Sequence, residues 1–253
     1  MTTKSVRARR VEKALLGRSS AARAKALHWF FKTGPGQYGE GDRFLGLTMP
    51  QIRQLARECT DLTLTDIEAL LESPWHESRS LAVVLLANRY PKADAETQRA
   101  IYNLYLRRAD RINNWDLVDI SAPRVVGAHL LTRSRAPLHR LAKSRDLWKR
   151  RIAIVSTATF IDNGQFDDTL RMAVTLIRDP HDLIHKAVGW MLREVGKRDE
   201  AILRAFLDRH AGQLPRTALR YAIERLPPRL RARYMKSTRA TATAAVGWKG
   251  RKS

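Results

Sequence analysis

The spacing of apolar residues is the feature that most limits what this chain can fold into. Apolar residues recur at the period of an α-helix along nearly the whole sequence, and almost no segment alternates at the period of two that a half-buried strand requires. With 253 residues and 44% hydrophobic content, the chain is long enough to bury a sizeable core. The sequence therefore predicts an all-α protein.

A weak internal repeat indicates how these helices are arranged. Segments in which a basic residue leads into small and aliphatic residues begin at Arg79, Arg150, His185 and Arg216. Their spacings lie near one or two multiples of roughly 35 residues, which is typical of helical repeat arrays. We therefore expect residues 1–237 to form a single domain, an α-solenoid in which stacked helix pairs wind into a superhelix with a concave cleft suited to a rod-like partner. A globular helical bundle without repeats is the alternative.

The charge balance limits the choice of partner. The chain has 47 Lys+Arg against 25 Asp+Glu, a net charge of +22, which favours a polyanion: nucleic acid first and an anionic membrane surface second. No stretch approaches the ~20 apolar residues of a membrane span, and the N-terminus lacks a secretory apolar region. We expect a cytoplasmic protein that does not bind membranes. Residues 238–253 are predicted to form a disordered basic tail.

One glycine-rich segment and several single residues lead to further structural predictions. The glycine-rich segment Thr33–Asp42 is expected to be a long loop. Its Tyr38 is a candidate for stacking on nucleic acid, or else anchors the loop on the core. Thr48 and Thr65 are predicted to cap helices that begin at Met49 and Asp66. The single cysteine, Cys59, cannot form an internal disulfide and is expected to be buried, and Trp29 and Trp75 are assigned to the core.

The segment Asn113–Gly127 has the most distinctive chemistry. Trp115 and Asp119 are four residues apart, so on a helix they lie on the same face. Pro123 lacks an amide hydrogen and would leave the carbonyl of Asp119 without its partner, which predicts a kink beside that carboxylate. Alternatively, Trp115 belongs to the core, Asp116 and Asp119 lie near a helix N-terminus, and Pro123 begins a new helix.

Three helices are candidates for the inner surface: the one after Asn114, Leu147–Ile161 and Leu183–Val195. They would bring together aromatic and cationic side chains and one carboxylate, namely Trp115, Asp119, Trp148, Arg151, Lys186 and Trp190. A carboxylate on a DNA-facing surface repels phosphate, so its presence there needs a reason. One such reason is stabilisation of the oxocarbenium-like sugar that forms as a base departs, which indole faces would reinforce.

These motifs resemble a known family. Trp115-Asp-Leu-Val-Asp119, Trp148–Ile154 and Lys186–Gly196, together with the Phe44-Leu-Gly-Leu segment, look like the AlkD-type DNA alkylation repair glycosylases, which consist of HEAT-like repeats. The resemblance runs in order from about Ala26 to Leu226. It implies hydrolysis of the N-glycosidic bond of positively charged N3- and N7-alkylated purines in double-stranded DNA, as the first step of base excision repair. It also implies no metal, no cofactor and no flipping of the base.

The resemblance also assigns roles to individual residues. Trp115 and Trp190 match the tryptophans that flank the damaged nucleotide, and Asp119 matches the catalytic carboxylate. Arg151 matches the arginine that holds the backbone phosphate, although the adjacent Arg150 is an alternative. Further expected DNA contacts are made by Arg150, Lys186, Trp148 and Tyr38.

Other functions remain open on the same sequence. The loop Thr33–Asp42 is longer and richer in glycine than expected for the best-known members. One alternative is a non-catalytic protein that binds bent, branched or damaged DNA, and another is a repeat scaffold for a protein partner. The simplest expectation is a monomer with no obligate protein partner.

Overall fold

The structure is a computed structural model that describes residues 6–236. Within that range the regular elements are helices, and the β-type pairing is limited to an isolated bridge between Arg43 and Trp75. The all-α prediction is confirmed. No helix in the described range is long and apolar enough to span a bilayer. The predicted tail, residues 238–253, lies outside the described residues.

The chain divides into two compact units, Met1–His129 and Leu130–Ser253, and each is described by itself. The prediction of one repeat domain over residues 1–237 is not decided by this division and stays a prediction. Unit 1 contains α1 (Val6–Leu16), α2 (Ala21–Phe30), α3 (Met49–Glu58), α4 (Leu64–Leu71), α5 (His76–Arg89), α6 (Ala95–Arg107) and α7 (Trp115–Ala122). A π-helical turn (Pro123–Gly127) and the short α8 (Ala128–Leu130) follow α7.

Helix α5 is the centre of unit 1. Its residues from His76 to Ala87 are all buried, and α3, α4 and α7 pack around it. A helix buried on every side needs partners for its polar residues, and His76, Glu77 and Arg79 at its start are all buried. Those partners form the site described below.

Unit 2 is organised around its longest helix. It contains α9 (Ala136–Ala142), α10 (Leu147–Ser156), α11 (Ala158–Asp162), α12 (Asp167–Thr175), α13 (Asp182–Arg198), α14 (Glu200–His210), α15 (Arg216–Ala222) and α16 (228–236). Helix α13 packs against α10, α14 and α15. The predicted helix Leu147–Ile161 is interrupted at Thr157, between α10 and α11. The hydroxyl of Thr157 donates to the carbonyl of Ile154, and such a side-chain hydrogen bond competes with the regular backbone pattern of a helix.

Two predicted helix starts have different outcomes. Thr48 does cap α3, since its amide and its hydroxyl both donate to the side chain of Gln51. The prediction that Thr65 caps the next helix is wrong, because α4 begins earlier, at Leu64, with Thr63 as its cap. Thr63 and Asp66 form a reciprocal capping box, in which the Asp66 amide donates to the Thr63 hydroxyl at 3.2 Å and the Asp66 carboxylate accepts from the Thr63 amide at 2.8 Å.

Pro123 begins a π-helical turn one turn after Asp119, and the predicted kink beside that carboxylate stays a prediction. Helix α7 ends at Ala122, and the chain continues without leaving helical geometry through Pro123–Gly127. A wider turn lets a helix accommodate a residue that has no amide hydrogen to donate. Pro123 therefore neither starts a separate α-helix nor ends the helical segment.

The assignment of Trp29 to the core is wrong. Its side chain is 85% exposed, the adjacent Phe30 is 52% exposed, and α2 contains no buried residue. The apolar residues of α2 are spread around the helix rather than gathered on one face, so no single orientation buries them. Trp75 is half-buried, with the guanidinium of Arg43 4.9 Å from the centre of its ring. Cys59 is buried as predicted.

The close packing of α13 on α15 depends on a glycine. A Cβ at Gly189 would lie 2.3 Å from the carbonyl oxygen of Ala218 and 2.5 Å from the Cβ of Tyr221. We expect Gly189→Ala to lower the free energy of unfolding by about 1–3 kcal/mol, because the two backbones must separate. Urea denaturation checks this. Gly17→Ala is the control, since its Cβ would meet only ordinary contacts at 3.5 Å or more. Equal effects of the two substitutions would contradict the prediction.

Candidate functional site

A cavity of about 480 Å³ opens at the start of α7 in unit 1. We call it the site cavity. Its walls are mainly apolar and come from α2, α3, α5 and α7, and both Trp115 and Asp119 line it. The i, i+4 spacing therefore does place this indole and this carboxylate on one surface, as the sequence predicted. Asp116 and Glu77 are the other acidic residues of the wall.

An aromatic cluster holds Trp115 in place. Its ring centre lies 5.4 Å from that of Phe31 and 5.8 Å from that of Phe30. Phe31 in turn stacks on Phe44 at 5.1 Å. Trp115 itself is only half-buried, so the alternative that it is an ordinary core residue does not describe its position. One part of the indole is fixed by packing and the rest is accessible.

A buried network of charged groups lies beneath this cluster, at the N-terminal ends of α5 and α7. The imidazole of His76 bridges two carboxylates: its Nδ1 lies 2.8 Å from Oδ2 of Asp42, and its Nε2 lies 2.9 Å from Oδ2 of Asp116. Asp42 also accepts from the guanidinium of Arg79 and, at 3.2 Å, from Nδ2 of Asn114. We call these five residues the buried-charge network.

The network is charged but nearly neutral overall. Burial alone would lower the pKa of His76, but the carboxylates of Asp116 and Asp42 outweigh it and raise that pKa to about 9. Burial would likewise raise the pKa of Asp42, yet its bonds to His76 and Arg79 lower it to about 2. With both ring nitrogens facing carboxylates, the imidazolium form satisfies both. Two carboxylates thus face two cations in a buried setting.

The buried-charge network connects distant parts of the sequence to the helix that carries Asp119. Asp42 is the last residue of the glycine-rich loop, and Asn114 is the N-cap of α7, with its side-chain oxygen accepting from the amide of Trp115 at 2.8 Å. Asp116 lies in the first turn of α7. The network therefore fixes the start of α7, one turn before Asp119.

A second buried carboxylate fixes the segment that follows the loop. Glu77 accepts from three backbone amides, those of Leu45 at 2.9 Å, Gly46 at 2.7 Å and Leu47 at 3.2 Å. Gly46 has φ +86, and a Cβ there would lie 2.3 Å from the carbonyl oxygen of Ser20. These contacts hold the segment Leu45–Leu47 against the start of α2, and Leu47 lines the site cavity.

The surroundings of Asp119 include a buried phenol. Burial raises the pKa of Tyr105, its hydrogen bond with Ser121 lowers it, and the charge of Asp119 raises it further. The hydroxyls of Tyr105 and Ser121 lie 2.8 Å apart, and Ser121 donates to the carbonyl of Leu117 at 2.6 Å. Tyr105 is thus a neutral group that keeps the middle of α7 in place. The carboxylate of Asp119 lies in a largely apolar cavity, where a charge acts more strongly than in water.

The two arginine candidates of unit 2 both have protein partners. Arg151 is 5% exposed and donates from Nη1 to the carbonyl of Leu183 at 2.6 Å, which ties α10 to the start of α13. Arg150 forms an ion pair with Asp179 and donates to the carbonyls of Ser144 and Arg145. The burial of Arg151 disfavours a direct contact with a phosphate, and its assignment, like that of Arg150, stays a prediction.

The remaining candidates differ in accessibility. Trp148 is buried, with 8% of its surface exposed, which disfavours a direct contact with DNA. Trp190 is half-buried and donates from its indole nitrogen to Glu194 at 3.0 Å. Lys186 pairs with Asp182 at 2.8 Å. Tyr38 is half-buried in the glycine-rich loop. Their contacts with DNA stay predictions.

Sequence reasoning did not identify His76, Asp42 or Arg79 as parts of the site. Their partners are separated by 34 to 72 positions along the chain, so no local motif brings them together. The one available signal was that a polar run, His76-Glu-Ser-Arg79, opens a helix that is otherwise aliphatic. Polar residues at such a place need buried partners.

Comparison with known proteins identifies a family and a fold. The model of a family described as DNA alkylation repair enzyme matches residues 11–226. No curated protein matches the chain. Among solved structures, one described as a predicted DNA alkylation repair enzyme from Enterococcus faecalis superposes with a TM-score of 0.65 at 17% sequence identity. The match covers 83% of this chain and 97% of that one, and it confirms the predicted fold class.

Proposed function

Since the chain belongs to the DNA alkylation repair enzyme family, we propose that it is a DNA glycosylase that releases positively charged N3- and N7-alkylated purines from double-stranded DNA. The observation that carries the proposal is the placement of Asp119 and Trp115 on the wall of one largely apolar cavity. In a chain of net charge +22, a carboxylate held in such a place is suited to a cation that forms during the reaction.

The proposed reaction breaks the bond between C1′ of the deoxyribose and the purine nitrogen. The bonding electrons leave with the base, which loses its positive charge, and the sugar becomes oxocarbenium-like. Asp119 stabilises that sugar electrostatically, and the face of Trp115 adds a cation–π contribution. A water oriented by Asp119 then adds to C1′ and releases one proton to the solvent. The cationic lesion is already a good leaving group, so the base need not be flipped into a pocket, and no metal or cofactor takes part.

The roles proposed in unit 2 are those of support. Trp190 supplies a second aromatic face, and its bond to Glu194 restricts the orientation of the ring. Arg151, or the adjacent Arg150, holds a backbone phosphate once its side chain exchanges its present protein partner for DNA. Each role is independent of the assignment of Asp119 and can be tested by its own substitution.

The decisive experiment measures free base. A duplex methylated with dimethyl sulfate is incubated with the protein, and released 3-methyladenine and 7-methylguanine are quantified by chromatography. We expect release above the spontaneous rate, and none of the unmodified bases. A duplex bound tightly but without any release would instead favour the non-catalytic binder of bent, branched or damaged DNA, which the charge alone also supports.

A further inference from the structure

A second cavity in unit 1 has the opposite character from the site cavity. It has a volume of about 620 Å³, and we call it the basic cavity. Four cationic side chains line it, those of Arg57, Arg89, Lys92 and Arg124, and no acidic residue does. The volume lies within the range of about 300–1,000 Å³ that is usual for small-ligand sites.

Three of these cations have no anionic partner in the described part of the chain. Arg57, Lys92 and Arg124 form no ion pair or side-chain hydrogen bond within residues 6–236, whereas Arg89 donates to the carbonyl of Thr60 at 3.2 Å. Other arginines of unit 1 are paired where a carboxylate is within reach, as in the ion pairs Arg10–Asp61 at 3.0 Å and Arg108–Glu68 at 2.6 Å. Three exposed cations of the basic cavity thus lack a paired anion, while the charges of Asp61 and Asp66 act on Arg89 from outside its lining.

Favourable interactions with helix dipoles explain the positions of only two of the four cations. Arg57 and Arg89 lie in the last turns of α3 and α5, where a cation interacts favourably with the helix dipole. Lys92 and Arg124 lie outside those turns, in the 3₁₀ turn Tyr90–Lys92 and in the π-helical turn after α7. Together with the two arginines they surround one cavity, where an anion between them would offset the repulsion between like charges.

The basic cavity is separate from the proposed reaction site. Helix α5 runs from His76, on the wall of the site cavity, to Arg89, on the wall of the basic cavity. Its 14 residues span about 21 Å at 1.5 Å per residue. A ligand in the basic cavity would therefore bind at the other end of the central helix of unit 1.

We propose that the basic cavity binds phosphate groups. Guanidinium and ammonium groups are the side chains that proteins use for phosphate oxygens, and the planar fork of arginine binds two of them at once. The side chains of Asn88, Thr60 and Thr97 line the same cavity and add neutral polar groups. Phosphate can come from the backbone of a DNA duplex or from a free polyphosphate, and the experiment distinguishes these sources.

The test compares two triple variants that change the net charge equally. The first is Arg57→Gln, Lys92→Gln and Arg124→Gln. The control is Lys13→Gln, Arg99→Gln and Arg220→Gln, three cations that line neither cavity. Pyrophosphate binding is measured by calorimetry at low salt, and the affinity for an undamaged duplex is measured over a salt series. Thermal unfolding of both variants verifies that they fold.

Each outcome decides the proposal. If the phosphate belongs to DNA, the slope of log K against log salt becomes less steep by about 0.9 for each phosphate that the first variant no longer neutralises. The total change is then up to about three, and the control variant shows a smaller change. If it is a free polyphosphate, pyrophosphate binds the wild type, binds the first variant at least about tenfold more weakly, and the salt slope is unchanged. Equal behaviour of both variants in both assays overturns the proposal. None of these measurements depends on base release, so the proposed glycosylase activity can fail without affecting them.

Discussion

Replacing Asp119 with Asn is expected to slow release of methylated purines from duplex DNA by at least about 100-fold. The amide keeps the shape of the side chain but removes the charge that would stabilise the oxocarbenium-like sugar, and loss of one such electrostatic group typically costs about 10²–10³ in rate. Affinity for the duplex is expected to stay equal or increase, because a charge that repels phosphate is gone. Single-turnover release at saturating protein separates the rate from the affinity.

A matched control makes this result specific to the site cavity. Asp110→Asn removes one negative charge from an exposed position of unit 1 that does not line the cavity. It should leave the release rate unchanged and raise duplex affinity by a similar amount. If Asp119→Asn released base as fast as the wild type, the assignment of Asp119 would be wrong even though the family membership would stand.

The second large effect is expected at His76. Substitution by Phe retains a ring that can pack against Phe31 and Phe44, whose centres lie 4.9 and 4.8 Å from that of His76. It also leaves the buried carboxylate of Asp42 and the half-buried carboxylate of Asp116 without the cation between them. Removing one partner of a buried charged pair costs about 3–5 kcal/mol, so the free energy of unfolding should fall by that amount at pH 6.

The substitution His76→Phe should also remove the part of the pH dependence of the free energy of unfolding that comes from His76. The pKa of His76 is about 9 in the folded protein against an ordinary 6.5. Because its pKa is raised on folding, protonated His76 stabilises the folded protein. This stabilisation is fully present below pH 6.5 and is lost as the pH rises through 9. A shift of this size corresponds to about 3 kcal/mol at most. The stability difference between wild type and His76→Phe should therefore shrink as the pH rises from about 6.5 to about 9.5.

Urea denaturation of both proteins at about pH 6, 7.5 and 9.5 checks this expectation. His139→Phe is the control, because His139 is half-exposed and lies outside the buried-charge network. A difference between wild type and His76→Phe that stayed constant over the range would show that His76 does not carry a charge in the folded state. A small difference at every pH would show that the network contributes little to stability.

The parts of the site that could be predicted from sequence are those set by neighbours on one helix. The i, i+4 pair Trp115 and Asp119 required only that Asn114 begin a helix, and a helical start there follows from the capping preference of Asn. The missing amide hydrogen of Pro123 marked a place where the α-helical hydrogen-bond pattern changes, and α7 gives way to a π-helical turn there. Such inferences need no knowledge of tertiary packing.

The parts that escaped prediction depend on contacts between distant residues. The pairing of His76 with Asp42 and Asp116 exists only once the loop and two helices have been brought together. The exposure of Trp29 has the same origin, since tryptophan is usually well buried and only the packing of α2 decides otherwise. The misplaced cap at Thr65 was a local error, because the acidic residue three positions after Thr63 marked the correct start.

The weak burial of α2 has a consequence for entry to the site cavity. Arg23, Ala26, Leu27 and Phe30 of this helix form part of the cavity wall, yet none of them is buried. The start of α2 is held by two hydrogen bonds, from the amide of Ser20 to the carbonyl of Leu45 at 2.8 Å and from Arg23 to the carbonyl of Gly46 at 2.7 Å. Local opening costs least where few side chains leave the core. We therefore expect the wall formed by α2 to open at a lower cost in free energy than the walls formed by α3, α5 and α7.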